Sequence, residues 1–193
     1  LLEYHLHIPG PDPLTNTFSE ARYGFYGRDF GTPTVFMNGL SSYAGGGPEL
    51  VKKSLFFRYD QVIEKYNTLP SPLALVLSAE QQNQSIQIKG KVSSSDKAEK
   101  SALNLYIALA EKSVNYTGAN GISQHAFVVR YMVNQGTGIP VIFKDGESSF
   151  DETINLQNVN DSIIKYLDDF AKNPPERYKN FPGWSVRPDN PDP

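Results

Sequence analysis

The residues that could do chemistry in this chain are three histidines, the carboxylates near them and one proline corner. His5 and His7 alternate with Glu3 in a run of period two. On a strand all three share one face, with the imidazoles two residues apart, as a metal-binding pair requires. Asp12 follows close behind. The candidate ligands stop at three, and neither cysteine nor a His-x-x-x-His pattern joins them, so structural histidines and no bound metal are expected. His125 beside Arg130 has the makings of an acid–base pair. No nucleophile or carboxylate motif accompanies it, so a structural hydrogen bond is the expectation, and no catalytic residue is assigned. Gly45-Gly46-Gly47 precedes a helix, where anions bind. Pro48-Glu49 stands where a phosphate loop needs Gly-Lys-Ser/Thr, so the glycines read as a flexible turn. Asp145-Gly146-Glu147 lacks the ligand period of a calcium loop and reads as a hairpin turn.

The remaining feature is Gly31-Thr32-Pro33, which opens a short β-type run ending at Asn38-Gly39, a strong hairpin signal. Proline cannot donate to a central ladder, so Pro33 belongs at the first residue of its strand or at an irregularity. A cis Thr32–Pro33 bond is one way to make such a corner.

Elements must position these residues. Leu1 to Ile8 reads as a strand with Leu2, Tyr4, Leu6 and Ile8 on one face, broken by Pro9-Gly10-Pro11-Asp12-Pro13. Thr17-Phe18-Ser19-Glu20 fits a capping box with Thr17 as N-cap, opening a helix to about Tyr26 that buries Phe18, Ala21 and Phe25. The hairpin strands 33–37 and 40–43 follow. Pro48 then suits the first position of a helix to about Tyr66, whose apolar stripe is Leu50, Val51, Leu55, Tyr59, Val62, Ile63 and Tyr66. This is an α/β pattern. After the linker Thr68-Leu69-Pro70-Ser71-Pro72 the period changes to two. Strands are expected at 73–78, 85–92, 103–109, 127–133, 139–143 and 150–156, with a short helical turn as the alternative over 127–133 and a polar turn over 93–101. Short strands spaced by turn signals suggest a β-sandwich. Asn160 can cap a late helix from Asp161 to about Ala171 with Ile163, Ile164, Leu167 and Phe170 inward, stopped by Pro174-Pro175. The rest reads as an extended tail anchored by Trp184. The expected divisions are 1–68, 69–172 and 173–193.

Composition narrows the classes. Hydrophobic content of 39% with 20% charged residues over 193 residues describes a folded chain with room for one large or two small cores. The net charge of −3 argues against a nucleic-acid surface. No apolar run approaches the roughly 18 residues of a membrane helix. There is no cysteine, which removes disulfides, thiolate nucleophiles and cysteine metal sites from these residues. The chain opens on apolar Leu1-Leu2, already in strand-like sequence, and is expected to be a piece of a longer protein.

The first half resembles the second part of a thioredoxin-like domain. Leu2-Glu3-Tyr4-His5 matches a central strand, Arg22 lies on the connecting helix, and Gly31-Thr32-Pro33 opens an antiparallel hairpin followed by a covering helix. The run Tyr4-His5, Pro11-Asp12-Pro13-Leu14, Glu20-Ala21-Arg22, Gly31-Thr32-Pro33-Thr34 and Asn38-Gly39 is similar to an exported bacterial subfamily of thioredoxin-like proteins. Gly121-Ile122-Ser123-Gln124-His125 and Val128-Val129-Arg130-Tyr131-Met132 are similar to the β-rich domain of proteins related to outer membrane protein 28. The resemblance implies a partial thioredoxin-like α/β domain followed by a β-sandwich-like domain with a late helix. It implies export to the periplasm or envelope, and a Thr32-Pro33 loop facing a peptide or protein thiol substrate. His5, Asp12, Arg22, His125 and Arg130 are the candidates for a polar site. The first strand, first helix and any Cys-x-x-Cys of such a fold would precede Leu1, so redox activity is implied by kinship alone, and no cofactor is implied. A non-catalytic envelope binding or scaffold protein is the alternative.

Overall fold

A computed structural model describes residues 1–27, 29–94, 102–118 and 120–179. Trp184 with the tail beyond residue 179, and most of the expected polar turn over 93–101, lie outside the described residues.

Residues 1–8 do not form the expected strand. They are held by one parallel bridge, Glu3 to Val128. The Glu3 N–H donates to the Phe127 carbonyl and the Val129 N–H to the Glu3 carbonyl, each at 2.9 Å. The ladder stops there because the Ile8 N–H turns back onto the Leu6 carbonyl at 2.7 Å, just before a cis Ile8–Pro9 bond.

Helix α1 spans Thr17–Phe25. Its N-cap is Asn16, not Thr17: the Asn16 side chain accepts from the Phe18 and Ser19 N–H groups at 3.0 Å each. The same side chain donates to the Val129 carbonyl at 2.8 Å, which anchors the cap one residue earlier than the capping-box pattern places it. Phe18 and Ser19 are buried, whereas Ala21 and Phe25 are exposed, because only the first turn of α1 lies against the sheet.

Strands β1 (Thr34–Met37) and β2 (Ser41–Ala44) pair antiparallel with Met37 opposite Ser41. Asn38 and Gly39 both take positive φ, 51° and 67°, the conformation that makes Asn-Gly a turn. Helix α2 spans Glu49–Asn67 with Pro48 at the N-cap, one place before the expected position. The side chain of Leu50 lies outside the described ones. Val51 and Ile63 are exposed, so the stripe is narrower than its sequence suggests. Leu55, Tyr59, Val62 and Tyr66 form the half-buried face. Tyr59 meets Tyr43 edge-on, and the Tyr66 hydroxyl lies 2.7 Å from that of Ser41. The hairpin is only two strands wide and gives this helix little surface to cover, which leaves its flanks in solvent.

The second half is built from antiparallel pairs. Strands β3 (Leu73–Gln82), β4 (Ser85–Ser94) and β9 (Glu147–Asn155) form a sheet in the order β3-β4-β9. Strand β5 (Leu103–Leu105) pairs with β8 (Ile139–Val141), and β6 (Ala108–Asn115) with β7 (Gln124–Met132). The expected single strand over 103–109 is thus two strands in two sheets. Leu105 faces Ile139 while Ala108 faces Met132, and the chain changes partners at Tyr106-Ile107. Helix α3 spans Leu156–Lys172, starting earlier than expected because Asn155, whose side chain accepts from the Asn158 N–H at 2.9 Å, is its cap. Val159, Ile163 and Leu167 are buried at spacings of four, and Ile164 is exposed.

Three buried clusters result among the described residues. Ile88 and Ile154 of the β4–β9 face meet Val159, Ile163 and Leu167 of α3. Each such side chain contributes about 2 kcal/mol by leaving water. In two further clusters Leu14 packs on Val114 and Val128, and Phe18 on Val129 and Met132, so the N-terminal segment and α1 cover the β6–β7 pair. Residues 176–178, expected within the extended tail, form a 3-10 turn whose Tyr178 is buried and donates to the His7 carbonyl. The molecule as a whole therefore combines helices with several antiparallel sheets.

Candidate functional site

The N-terminal segment and β7 bring together residues 120 positions apart. The bridge at Val128 sets Glu3 beside β7, and period-two alternation carries His5 to the same side. Strand β7 presents His125, whose ring meets that of His5 edge-on with centroids 4.8 Å apart. Glu3 Oε1 lies between them, 3.7 Å from His5 Nε2 and 3.6 Å from His125 Nδ1. His5 and His125 side chains are 10% and 6% exposed, while Glu3 is 39% exposed and forms the solvent side of the cluster.

Each member is held from behind. His5 Nδ1 donates to Asp12 Oδ2 at 2.8 Å, and Asp12 Oδ1 accepts from the Leu14 N–H at 2.8 Å. His125 Nε2 donates to the Tyr116 carbonyl at 3.1 Å. Glu3 Oε2 accepts from the Ala126 N–H at 3.1 Å. A carbonyl only accepts, and an ionised carboxylate only accepts, so these bonds assign the proton of each neutral imidazole to the nitrogen facing away from Glu3. Among the described residues, buried His5 Nε2 has no hydrogen-bond partner.

No protein-family model, curated protein or solved structure matches this chain. Function must be read from the residues themselves.

His7 stands apart from the cluster despite sharing its sequence alternation. Its Nδ1 accepts from the Asp12 N–H at 2.9 Å, its Nε2 lies 3.1 Å from the Tyr166 hydroxyl, and its ring stacks on Phe170 at 3.9 Å. Burial lowers its pKa to about 4, with Asp12 opposing and Arg177 reinforcing that fall. Arg22 also lies elsewhere: its guanidinium sits over Phe25 and Tyr106, 4.9 Å from each ring centre. Arg130 pairs with Glu111 at 3.3 Å. Burial pulls its guanidinium below its ordinary pKa, while Glu111 and Asp12 pull it back. Among the described residues His125 turns to Glu3 and Tyr116, not to Arg130.

The Thr32–Pro33 bond is cis. Gly31, Thr32 and Pro33 are exposed, the Pro33 carbonyl accepts from the Gly45 N–H at 2.7 Å, and the Thr32 hydroxyl reaches the Ile8 carbonyl at 3.4 Å. A side chain at Gly45 would meet the Pro33 ring at 3.2 Å, so the second glycine-rich turn is what lets the corner close.

Glu3 is the residue sequence reasoning missed. Its spacing of two from His5 is the sequence signal that a carboxylate and an imidazole share one face.

Proposed function

We propose that this chain is the non-catalytic binding and scaffold part of an exported, thioredoxin-like envelope protein: an α/β unit followed by a sandwich-like β unit that serves for docking. The observation that supports this reading is the chemistry of the buried polar cluster. Imidazoles and carboxylates converge there, each tied to a second partner, and the 193 residues hold no thiol. Such groups hold a ligand; they do not exchange disulfides, which takes a thiolate and a mixed-disulfide step.

A second reading is favoured by the exposed Gly31-Thr32-Pro33 corner. In a longer chain that corner would present backbone to a peptide or protein thiol substrate beside cysteines encoded outside these residues. Insulin reduction by the full-length protein separates the two. The scaffold reading expects no turnover above the dithiothreitol background from a folded sample. Turnover that is abolished by replacing cysteines of the full-length protein with serine would overturn it in favour of thiol–disulfide exchange.

A further inference from the structure

We propose that Glu3, His5 and His125 form a binding site for a single divalent transition-metal ion of the zinc type. The inference does not depend on the scaffold reading. His5 Nε2, His125 Nδ1 and a Glu3 carboxylate oxygen all lie within 4.8 Å of one another. In a tetrahedral centre with bonds of about 2.0–2.1 Å, ligand atoms stand about 3.4 Å apart. The carboxylate-to-imidazole separations of 3.7 and 3.6 Å are within a few tenths of that spacing.

The hydrogen-bond network carries the inference further than the distances do. With Nδ1 of His5 committed to Asp12 and Nε2 of His125 committed to Tyr116, both remaining nitrogens direct lone pairs toward the same carboxylate. Lone pair against carboxylate is repulsive. The separations are also too long for an N–H···O hydrogen bond, so a proton on either nitrogen would gain an ion pair with Glu3 but no hydrogen bond. A cation between the three atoms removes the conflict and gives the buried His5 Nε2 the partner it lacks. The outer partners are those a metal centre uses: a carboxylate and a backbone carbonyl behind the two imidazoles, and a backbone N–H behind the ligating carboxylate. Two imidazoles and one carboxylate suit a borderline ion over calcium or magnesium, which take oxygen ligands. Half-exposed Glu3 provides the route of entry and leaves a fourth position for water.

The test uses the full chain without a histidine tag, stripped with chelator, and titrated with zinc chloride by calorimetry and with cobalt chloride by visible absorption. One ion per chain should bind with a micromolar or tighter Kd, and the cobalt complex should show the strong d–d bands of a four-coordinate site. Glu3→Gln and His125→Ala should each weaken binding by at least about tenfold, and Asp12→Asn by about 10–100-fold. The chain has three histidines, so imidazole NMR of the unaltered protein provides a check that needs no variant. Zinc should shift the His5 and His125 ring signals and leave those of His7 in place. Absence of saturable binding, or unchanged His5 and His125 signals at saturating zinc, would overturn the proposal.

Discussion

His5 and His7 show how far two histidines on one short segment can diverge. His5 keeps a bare nitrogen directed at Glu3, whereas both nitrogens of His7 are satisfied, Nδ1 by the Asp12 N–H and Nε2 against Tyr166. Because Nδ1 of His7 accepts, protonating that ring breaks a buried bond and places a charge against Phe170 and near Arg177. Its folded-state pKa of about 4 lies below the ordinary 6.5. In the window between those values the unfolded chain binds the extra proton and the folded one does not. The stability contributed by neutral His7 is therefore fully present above pH 6.5 and is lost as pH falls toward 4. After discounting for solvent screening, the loss is on the order of 2 kcal/mol. Urea denaturation in chelator at pH 7.5 and pH 4.5 should show it, and His7→Asn should flatten the dependence across that window. Equal slopes for the two proteins would remove His7 from the account.

Within the elements, close approach of backbones sets the limits. Gly90 of β4 lies opposite Leu77 of β3 and Phe150 of β9. A Cβ there would stand 2.3 Å from the Val76 carbonyl oxygen and 2.6 Å from the Phe150 ring. The ring can swing aside, but the carbonyl belongs to the ladder. Gly90→Ala should cost about 1–3 kcal/mol and speed amide exchange along β3, readable by urea melts and hydrogen exchange; unchanged exchange in β3 would refute it. Local chemistry of this order was legible in the sequence: the Asn38-Gly39 turn, the Ile86, Ile88 and Val92 alternation of β4, and the stop at Pro174-Pro175 all depend on near neighbours. What escaped was decided at long range. Leu103, Leu105, Ile107 and Leu109 keep a perfect period of two, and nothing in that period says that Leu105 pairs with β8 while Ala108 pairs with β7. Asn16 outranks Thr17 as a cap because of a carbonyl 113 residues away. The site follows the same rule: Glu3, His5 and Asp12 were legible as neighbours, whereas His125 joins them only through the Glu3–Val128 bridge.

For the whole molecule, the first sixteen residues act as a strap across the β half. Glu3 is bonded to β7, Leu14 is fully buried on Val114 and Val128, the Asn16 amide donates to Val129, and Tyr178 donates to the His7 carbonyl. Two of the proposed metal ligands ride on the strap and the third is on β7, so strap docking and cation binding are one equilibrium. Leu14→Ala should cost about 2–5 kcal/mol for the cavity it leaves, and it should also weaken zinc binding although Leu14 touches no ligand atom. Conversely, zinc at a hundred times its Kd should stabilise the unaltered chain by about 2.7 kcal/mol. Ile163→Ala empties space in the separate α3 core and is the control. It should lower stability by a comparable amount and leave the zinc affinity of the folded protein unchanged. Thermal melts and calorimetry on the three proteins, with and without zinc, decide the matter. If Leu14→Ala and Ile163→Ala alter zinc affinity equally, the strap is not what couples the site to the fold.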